Sequence, residues 1–337
     1  MKQSLLNIVV CPTCQLDLSL SVEIQDGEEI EVGSLSCSQC GKAYPIRHGI
    51  PRFVPTDDYV GNFSFEWNLH RKTQVDSIAG HKESHKTFLE KTGLKEEELK
   101  GKLVLDVGCG TGRFMEVAAG FGASVVGIDL SFAVDAAYAN MGSRPNIHII
   151  QANLFHLPFR RNTFDAIYSI GVLHHTRNTR EAFLQLPRLL KKNGAIAIWV
   201  YVWAGEYSQN VDRIRRLTVK IPQKLLYALC ALWVPLYYYF HQTRWIGQYV
   251  QKIPTSNQGR GFIWDILDTF DNYSPLYQWK HTSQEVRGWF EEAGLRQLVE
   301  LAFPVSFRGV KVDGIGLHEP PRTEEILSTV CQASCHR

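Results

Sequence analysis

Three groups of residues in this sequence have the type and spacing to do chemistry. Cys11 and Cys14 in "CPTC" and Cys37 and Cys40 in "CSQC" form two C-x-x-C pairs separated by 22 residues. That spacing brings four thiolates to one tetrahedral Zn²⁺, and a closed four-thiolate set leaves no coordination position for water. The predicted zinc is therefore structural, and it helps to fold a segment too small for a core of its own. The second group is "VLDVGCGTGRF", residues 104–114, where Gly108, Gly110 and Gly112 let a backbone approach a ligand closely. Asp106 stands two residues before the first glycine, and Asp129 ends the next apolar run 23 residues after it. The third group is His174 and His175 in "SIGVLHHTRNT". An imidazole there can take a proton near neutral pH, and His174, directly after its strand, is the first choice as general base.

The glycine loop does not suit a phosphate. A nucleotide-hydrolase loop ends in Gly-Lys-Ser/Thr, whereas Gly112 is followed by Arg113 and Phe114. The dinucleotide fingerprint needs a later glycine where Arg113 stands. A carboxylate at Asp106, facing the ligand from a strand end, repels a pyrophosphate and favours a cation. S-adenosylmethionine is such a ligand, with a sulfonium and an ammonium group. Asp129 is placed to accept both ribose hydroxyls, a feature shared with NAD sites. Methyl transfer is an in-line displacement, for which alignment alone can supply roughly 7–11 kcal/mol.

The elements that must position these groups can be read from hydrophobic periodicity. From Lys102 onward, "LVLDVG", "SVVGIDL", "IHIIQAN", "FDAIYSIG" and "GAIAIWVYVW" alternate with helix-length segments. That predicts an α/β, Rossmann-like, doubly wound mixed sheet. The expected organisation is a zinc ribbon at 1–55, a helical linker or lid at 56–100, the cofactor-binding core at 101–203, a helical cap at 204–280, the end of the sheet at 281–320 and a tail at 321–337. Within these, "NFSFEWNLH", with Phe63, Phe65 and Trp67, is a candidate lid, and Thr282 or Ser283 is the expected N-cap of a helix closed by Gly294. The last two strands are expected at "QLVELAFP" and "VDGIGLHE".

Composition narrows the partners. With 45% hydrophobic residues and a formal net charge of +2, the chain reads as globular, without a general electrostatic pull on nucleic acid. The N-terminal apolar run lacks a cleavage site, which points to a cytoplasmic protein. The uncharged stretch from Leu225 to Phe240 is shorter than a spanning helix and contains Pro235, so it reads as a buried or an interfacial helix, with no transmembrane segment and with peripheral membrane contact left open. Cys331 and Cys335, in the polar tail, read as exposed thiols.

In order along the chain, "LDVGCGTGRF", "VVGIDLS", "QANLFHLPF...NTFDAIYSIGVLHH" and "EAFLQLPRLLKKNGAIAIWV" resemble the motifs of class I S-adenosylmethionine-dependent methyltransferases of the type 11-like kind. The resemblance implies a cofactor site of Asp106, Gly108, Cys109, Gly110, Gly112, Arg113, Asp129, Leu130, Asn153, Leu154 and Gly171. Asn153 departs from the family, which has an acid there to accept from the adenine amino group; the amide oxygen can still accept. "LLNIVVCPTCQLDL...LSCSQCGKAYPIRHGIPRFV" resembles the small zinc-ribbon proteins that bind and activate methyltransferases, here fused to the enzyme. Zinc-bearing rRNA guanine methyltransferases share this layout, but the ribbon's acids outweigh its bases, which suits phosphate poorly.

In the cap, "DTFDNYSPLYQWKHTSQEV" gathers Asp271, Tyr273, Tyr277, Trp279 and His281, of which Tyr273, Tyr277 and His281 are the expected substrate contacts. A pocket of Tyr and Trp suits a small-molecule or lipid-like acceptor. The alternatives are an RNA base, for which "RIRRLTVKIPQK" supplies positive charge, and a cofactor-binding regulator that transfers no methyl group.

Overall fold

The computed structural model describes residues 1–54, 74–256 and 261–312. The expected lid at 62–70 and the tail with Cys331 and Cys335 lie outside the described residues.

The N-terminal unit is a four-stranded antiparallel sheet of β1 (Leu18–Asp26), β2 (Glu29–Cys37), β3 (Ala43–Arg47) and the short β4 (Ile50–Pro51), adjacent in that order. After it come β5 (Leu103–Val107), β6 (Ser124–Asp129), β7 (Ile147–Gln151) and β8 (Phe164–Ile170), which fall on the first four apolar runs, and β9 (Leu190–Trp199), which starts four residues before the fifth run and ends four residues short of it. With β10 (Leu295–Glu300) and β11 (Ser306–Lys311) they build a seven-stranded sheet in the order β10-β11-β9-β8-β5-β6-β7. The five central strands are parallel, while β11 runs antiparallel to both β9 and β10. The sheet is therefore mixed, as the sequence predicts.

The strand that pairs with β9 is "SFRGVK", and the expected strand "VDGIGLHE" lies, from residue 313 onward, outside the described residues. Burial favours the observed pairing: Phe307 is fully buried beside Phe290. A side chain on Gly309 would meet Leu298 and Phe290 at 2.8 Å, so the glycine lets this strand approach.

Because alternate residues of a strand point to opposite faces, each central strand feeds two cores. Val104, Val125, Ile149 and Ala166 join one, with Phe88, Phe114, Met115 and Ala137. These come from α1 (Glu83–Thr92), α2 (Arg113–Gly120) and α3 (Ala133–Met141). Leu105, Val126, Ile150 and Ile167 join the other, with Phe183 from α4 (Thr179–Leu184). The N-terminal unit packs into that second core through Leu5, Leu35, Ile46 and Phe53. It also covers the β7 edge, where Phe53 N–H donates to Gln151 C=O at 2.8 Å and Arg52 pairs in parallel with Gln151. An open strand edge is thereby closed.

Between β9 and β10 lie α5 (Glu206–Thr218), α6 (Gln223–Phe240), α7 (Phe262–Tyr273) and α8 (Ser283–Glu292). Thr282 caps α8 in a capping box with Glu285. The first three helices form a cap with its own small core of Val211, Leu226, Cys230, Phe270 and Tyr273. Among the described residues no helix is long and apolar enough to cross a membrane.

Candidate active site

Cys11 and Cys14 precede β1, Cys37 ends β2, and Cys40 lies in the turn before β3, so two hairpin ends converge. Their four sulfurs lie within 4.8 Å of one another, and Cys11 Sγ and Cys40 Sγ are 3.7 Å apart. Tetrahedral zinc with bonds of about 2.3 Å sets sulfurs roughly 3.8 Å apart, so the cluster fits that ion closely. None of the four is in a disulfide.

β5 is flanked by β6 and β8, so the chain turns to opposite sides from it, and ligands bind open sheets at the carboxyl ends of such strands. A cavity of about 1000 Å³ opens there. Of the expected cofactor residues, Gly108, Cys109, Gly110, Arg113, Asp129, Leu130, Asn153, Leu154 and Gly171 line it; Asp106 and Gly112 do not. Gly108 has φ 81°, and a Cβ on it would strike Val172 at 2.3 Å, so only glycine fits this turn. Gly110 N–H donates to Asp129 Oδ2 at 3.0 Å, which ties the loop to the end of β6. Asp129 Oδ1 accepts from Ser131 N–H and Oγ at 2.9 and 2.7 Å. A carboxylate has about four acceptor positions, so ribose hydroxyls can still be received. Asn153 Oδ1 accepts from Phe155 N–H at 2.9 Å, an Asx turn that orients the amide. Arg113 reaches away from the loop to Ser84 and Gln74, at 3.2 and 2.7 Å.

Asp106 is a correction to the expected ligand-facing carboxylate. It is 1% exposed beneath the loop, and its Oδ2 has no hydrogen-bond partner among the described residues. Burial pushes its carboxyl up to about 8, with the charge of Asp129 adding to the rise and the Tyr168 hydroxyl opposing it. Burial also raises Asp129, against the donors from Ser131 and Gly110.

The two histidines take different places. His174 is fully buried, stacked 3.8 Å from the Tyr201 ring, and does not line the cavity; His175 does. The choice of His174 as base is thus overturned by the short 3₁₀ turn Leu173–His175, which sends the first ring inward. Their tautomers are opposite. Tyr201 N–H donates to His174 Nδ1 at 3.3 Å, so its proton is on Nε2, which is buried without a partner among the described residues. His175 Nδ1 lies 3.0 Å from the Tyr277 carbonyl, which can only accept, so Nδ1 donates and the lone pair is on Nε2. Burial lowers His174 well below the usual imidazole value and His175 to about 4, the latter opposed by the Tyr277 carbonyl and aided by Arg215 and Lys280. His175 is therefore neutral at pH 7, a proton acceptor.

The expected substrate residues Tyr273, Tyr277 and His281 do not line the cavity. Tyr273 is in the cap core, its hydroxyl donating to the Pro254 carbonyl. Tyr277 anchors His175, and His281 Nε2 bonds Thr179 Oγ1 at 2.9 Å. Neighbouring residues reach the cavity instead: Gln278 and Lys280 from the same segment, Asp271 from α7, and Trp199 and Tyr201 at the end of β9. Side-chain alternation along an extended segment was the available signal for Gln278 and Lys280. The rule that ligands sit at strand carboxyl ends was the signal for Trp199 and Tyr201. Gln278 is 3% exposed; its Nε2 donates to the Asp271 carbonyl at 3.1 Å, while its Oε1 has no partner among the described residues.

Comparison with known proteins places these features. A family model described as a methyltransferase domain matches residues 105–198, and a Trm112p-like protein model matches residues 2–49. The chain is 27% identical over 174 residues to a sterol 24-C-methyltransferase of Saccharomyces cerevisiae, covering 50% of this chain and 44% of that protein. It is 37% identical over 116 residues to a tRNA U34 carboxymethyltransferase of Pseudomonas fluorescens, covering 33% of this chain and 36% of that one. A crystal structure of an S-adenosylmethionine-dependent methyltransferase from Mesorhizobium loti aligns at 32% identity over 30% of this chain and 47% of that chain, with a TM-score of 0.28. The chain spans less than half the length of the two curated relatives described.

Proposed function

We propose that this two-part chain is an S-adenosylmethionine-dependent methyltransferase, acting on a small or lipid-like acceptor, with structural zinc in its N-terminal ribbon. The observation that carries this reading is the cavity itself, which joins the glycine loop and Asp129 to an aromatic wall from the end of β9 and the cap. Asp129 accepts the ribose hydroxyls, and Asn153 with the Leu154 backbone receives the adenine. The bound cofactor supplies a methyl group activated by a sulfonium. Trp199, Tyr201 and Trp264 hold an apolar acceptor body and exclude water. Gln278 Oε1, buried and unpaired, asks for an N–H or O–H on that acceptor. His175 Nε2 is the atom that takes the acceptor's proton. Cys11, Cys14, Cys37 and Cys40 hold zinc and do no chemistry.

RNA is the second reading. Relatives named for tRNA match as well as those named for sterols, and α5 carries Arg213 and Arg216 on its surface. The enclosing cap favours the small acceptor, because an RNA base must reach the methyl group with its backbone attached. Transfer of labelled methyl groups into total RNA, lipid and small-metabolite extracts tests the choice. Label in the lipid or metabolite fraction is the expected result, and label in RNA alone overturns it.

A further inference from the structure

The cap has a second face that the cavity does not use. Leu225, Leu229, Leu232, Leu236 and Tyr239 of α6 are exposed by 53, 45, 64, 41 and 75%. Their spacing of alternating four and three residues sets them on one stripe of the helix, while Leu226, Cys230 and Val234 face inward. Just beyond the helix, Trp245 and Tyr249 are exposed by 77 and 65%. Soluble chains seldom leave so continuous an apolar stripe uncovered. The charge around it is one-sided. Residues 213–264 contain eight Lys or Arg and no Asp or Glu, although the whole chain is nearly balanced at 36 bases and 34 acids. Arg213, Arg216, Lys220, Lys224 and Arg244 are exposed.

We propose that this outer face docks on an anionic lipid bilayer, with α6 lying in the plane of the interface and its leucine stripe turned into the acyl boundary. Leucines bury in that layer, Trp and Tyr sit at headgroup level, and Lys and Arg meet the anionic lipids. Charge argues against the other occupants. A two-fold pairing with a second copy would bring together two segments that each carry eight bases and no acid, of which Arg215 alone is paired with the flanking Asp212 among the described ion pairs. RNA would neutralise the bases but leave the leucines in water. The docking does not depend on the identity of the acceptor, because the inner face of the cap alone lines the cavity.

Flotation of the full-length protein with vesicles tests this, using phosphatidylcholine alone and phosphatidylcholine mixed with phosphatidylglycerol. Binding to the mixed vesicles only, weakened by high salt, is expected. Leu229→Ser with Leu232→Ser, and separately Lys220→Glu with Lys224→Glu, should each reduce it by about tenfold or more. These side chains are exposed and outside the cavity, so S-adenosylmethionine affinity measured on the same samples stays unchanged and reports an intact fold. Folded protein that ignores the mixed vesicles overturns the proposal. So does a dimer abolished by the leucine pair, or RNA binding lost in the lysine pair while vesicle binding is absent.

Discussion

The ribbon and the cap are both additions to the same sheet, yet they serve it in opposite ways. Among the described residues the ribbon contributes none to the cavity; it shares a core with the sheet and closes the β7 edge. The cap has a core of its own, and its helices line the cavity through Tyr207, Val211 and Trp264. One addition supports the cofactor end from behind, and the other shapes the acceptor end from the front. Support by a shared core predicts coupled stability. Shaping by a separately cored cap predicts effects on acceptor kinetics alone.

The largest test of this contrast is removal of the metal ligands. Structural zinc is worth roughly 10–16 kcal/mol in small units that fold around it. Cys37→Ser, or chelation, should release about one equivalent of zinc and lower the unfolding temperature of the whole chain by about 10 °C or more. A merely tethered ribbon would leave the main unfolding transition unmoved.

At the front of the cavity, His175→Ala should lower kcat by about 10²–10⁴, with S-adenosylmethionine affinity unchanged in calorimetry. His174→Ala should cost stability instead, because it removes a buried ring stacked on Tyr201.

Asp106 gives a pH test. Its carboxyl is raised from 3.8 to about 8, so between those values the unfolded chain has released a proton that the folded chain keeps. Stability from this group is fully present below about pH 4 and is lost as pH rises toward about 8, by at most about 1.4 kcal/mol per unit. Asp106→Asn should therefore show a flatter dependence of unfolding temperature on pH than the wild type between those limits. Bound S-adenosylmethionine, a cation, should flatten the wild-type dependence as well.

The smallest expected effect returns to the ribbon. Arg52 donates to Gln151 Oε1 and Asp135 Oδ1 at 2.8 and 2.6 Å, and Gln151 Nε2 donates to the Leu130 carbonyl beside the cofactor. Arg52→Ala should cost about 2 kcal/mol in denaturant unfolding and weaken S-adenosylmethionine only a few-fold.

What could be read from the sequence was whatever the backbone dictates. Parallel strands buried on both faces appear as apolar runs, so Leu103–Val107 and its neighbours were legible, and their ends located the glycine loop, Asp129 and Asn153. The cysteine pairs were legible because ligand spacing is itself the signal. Side-chain direction was not. The 3₁₀ turn reverses His174 and His175, and the return segment from the cap turns Tyr277 and His281 onto neighbouring elements while Gln278 and Lys280 face the cavity. Asp106 was misread for a related reason: its strand position was right, but the loop above it buries the carboxylate.

The central claim is that the carboxyl end of this sheet binds S-adenosylmethionine through Asp129. Calorimetric titration of the wild type and Asp129→Ala tests it most directly. One equivalent bound by the wild type and affinity at least about 100-fold weaker in the variant is the predicted result, from the loss of two charged hydrogen bonds. Equal affinity in the two proteins, or no binding by the wild type, would contradict it.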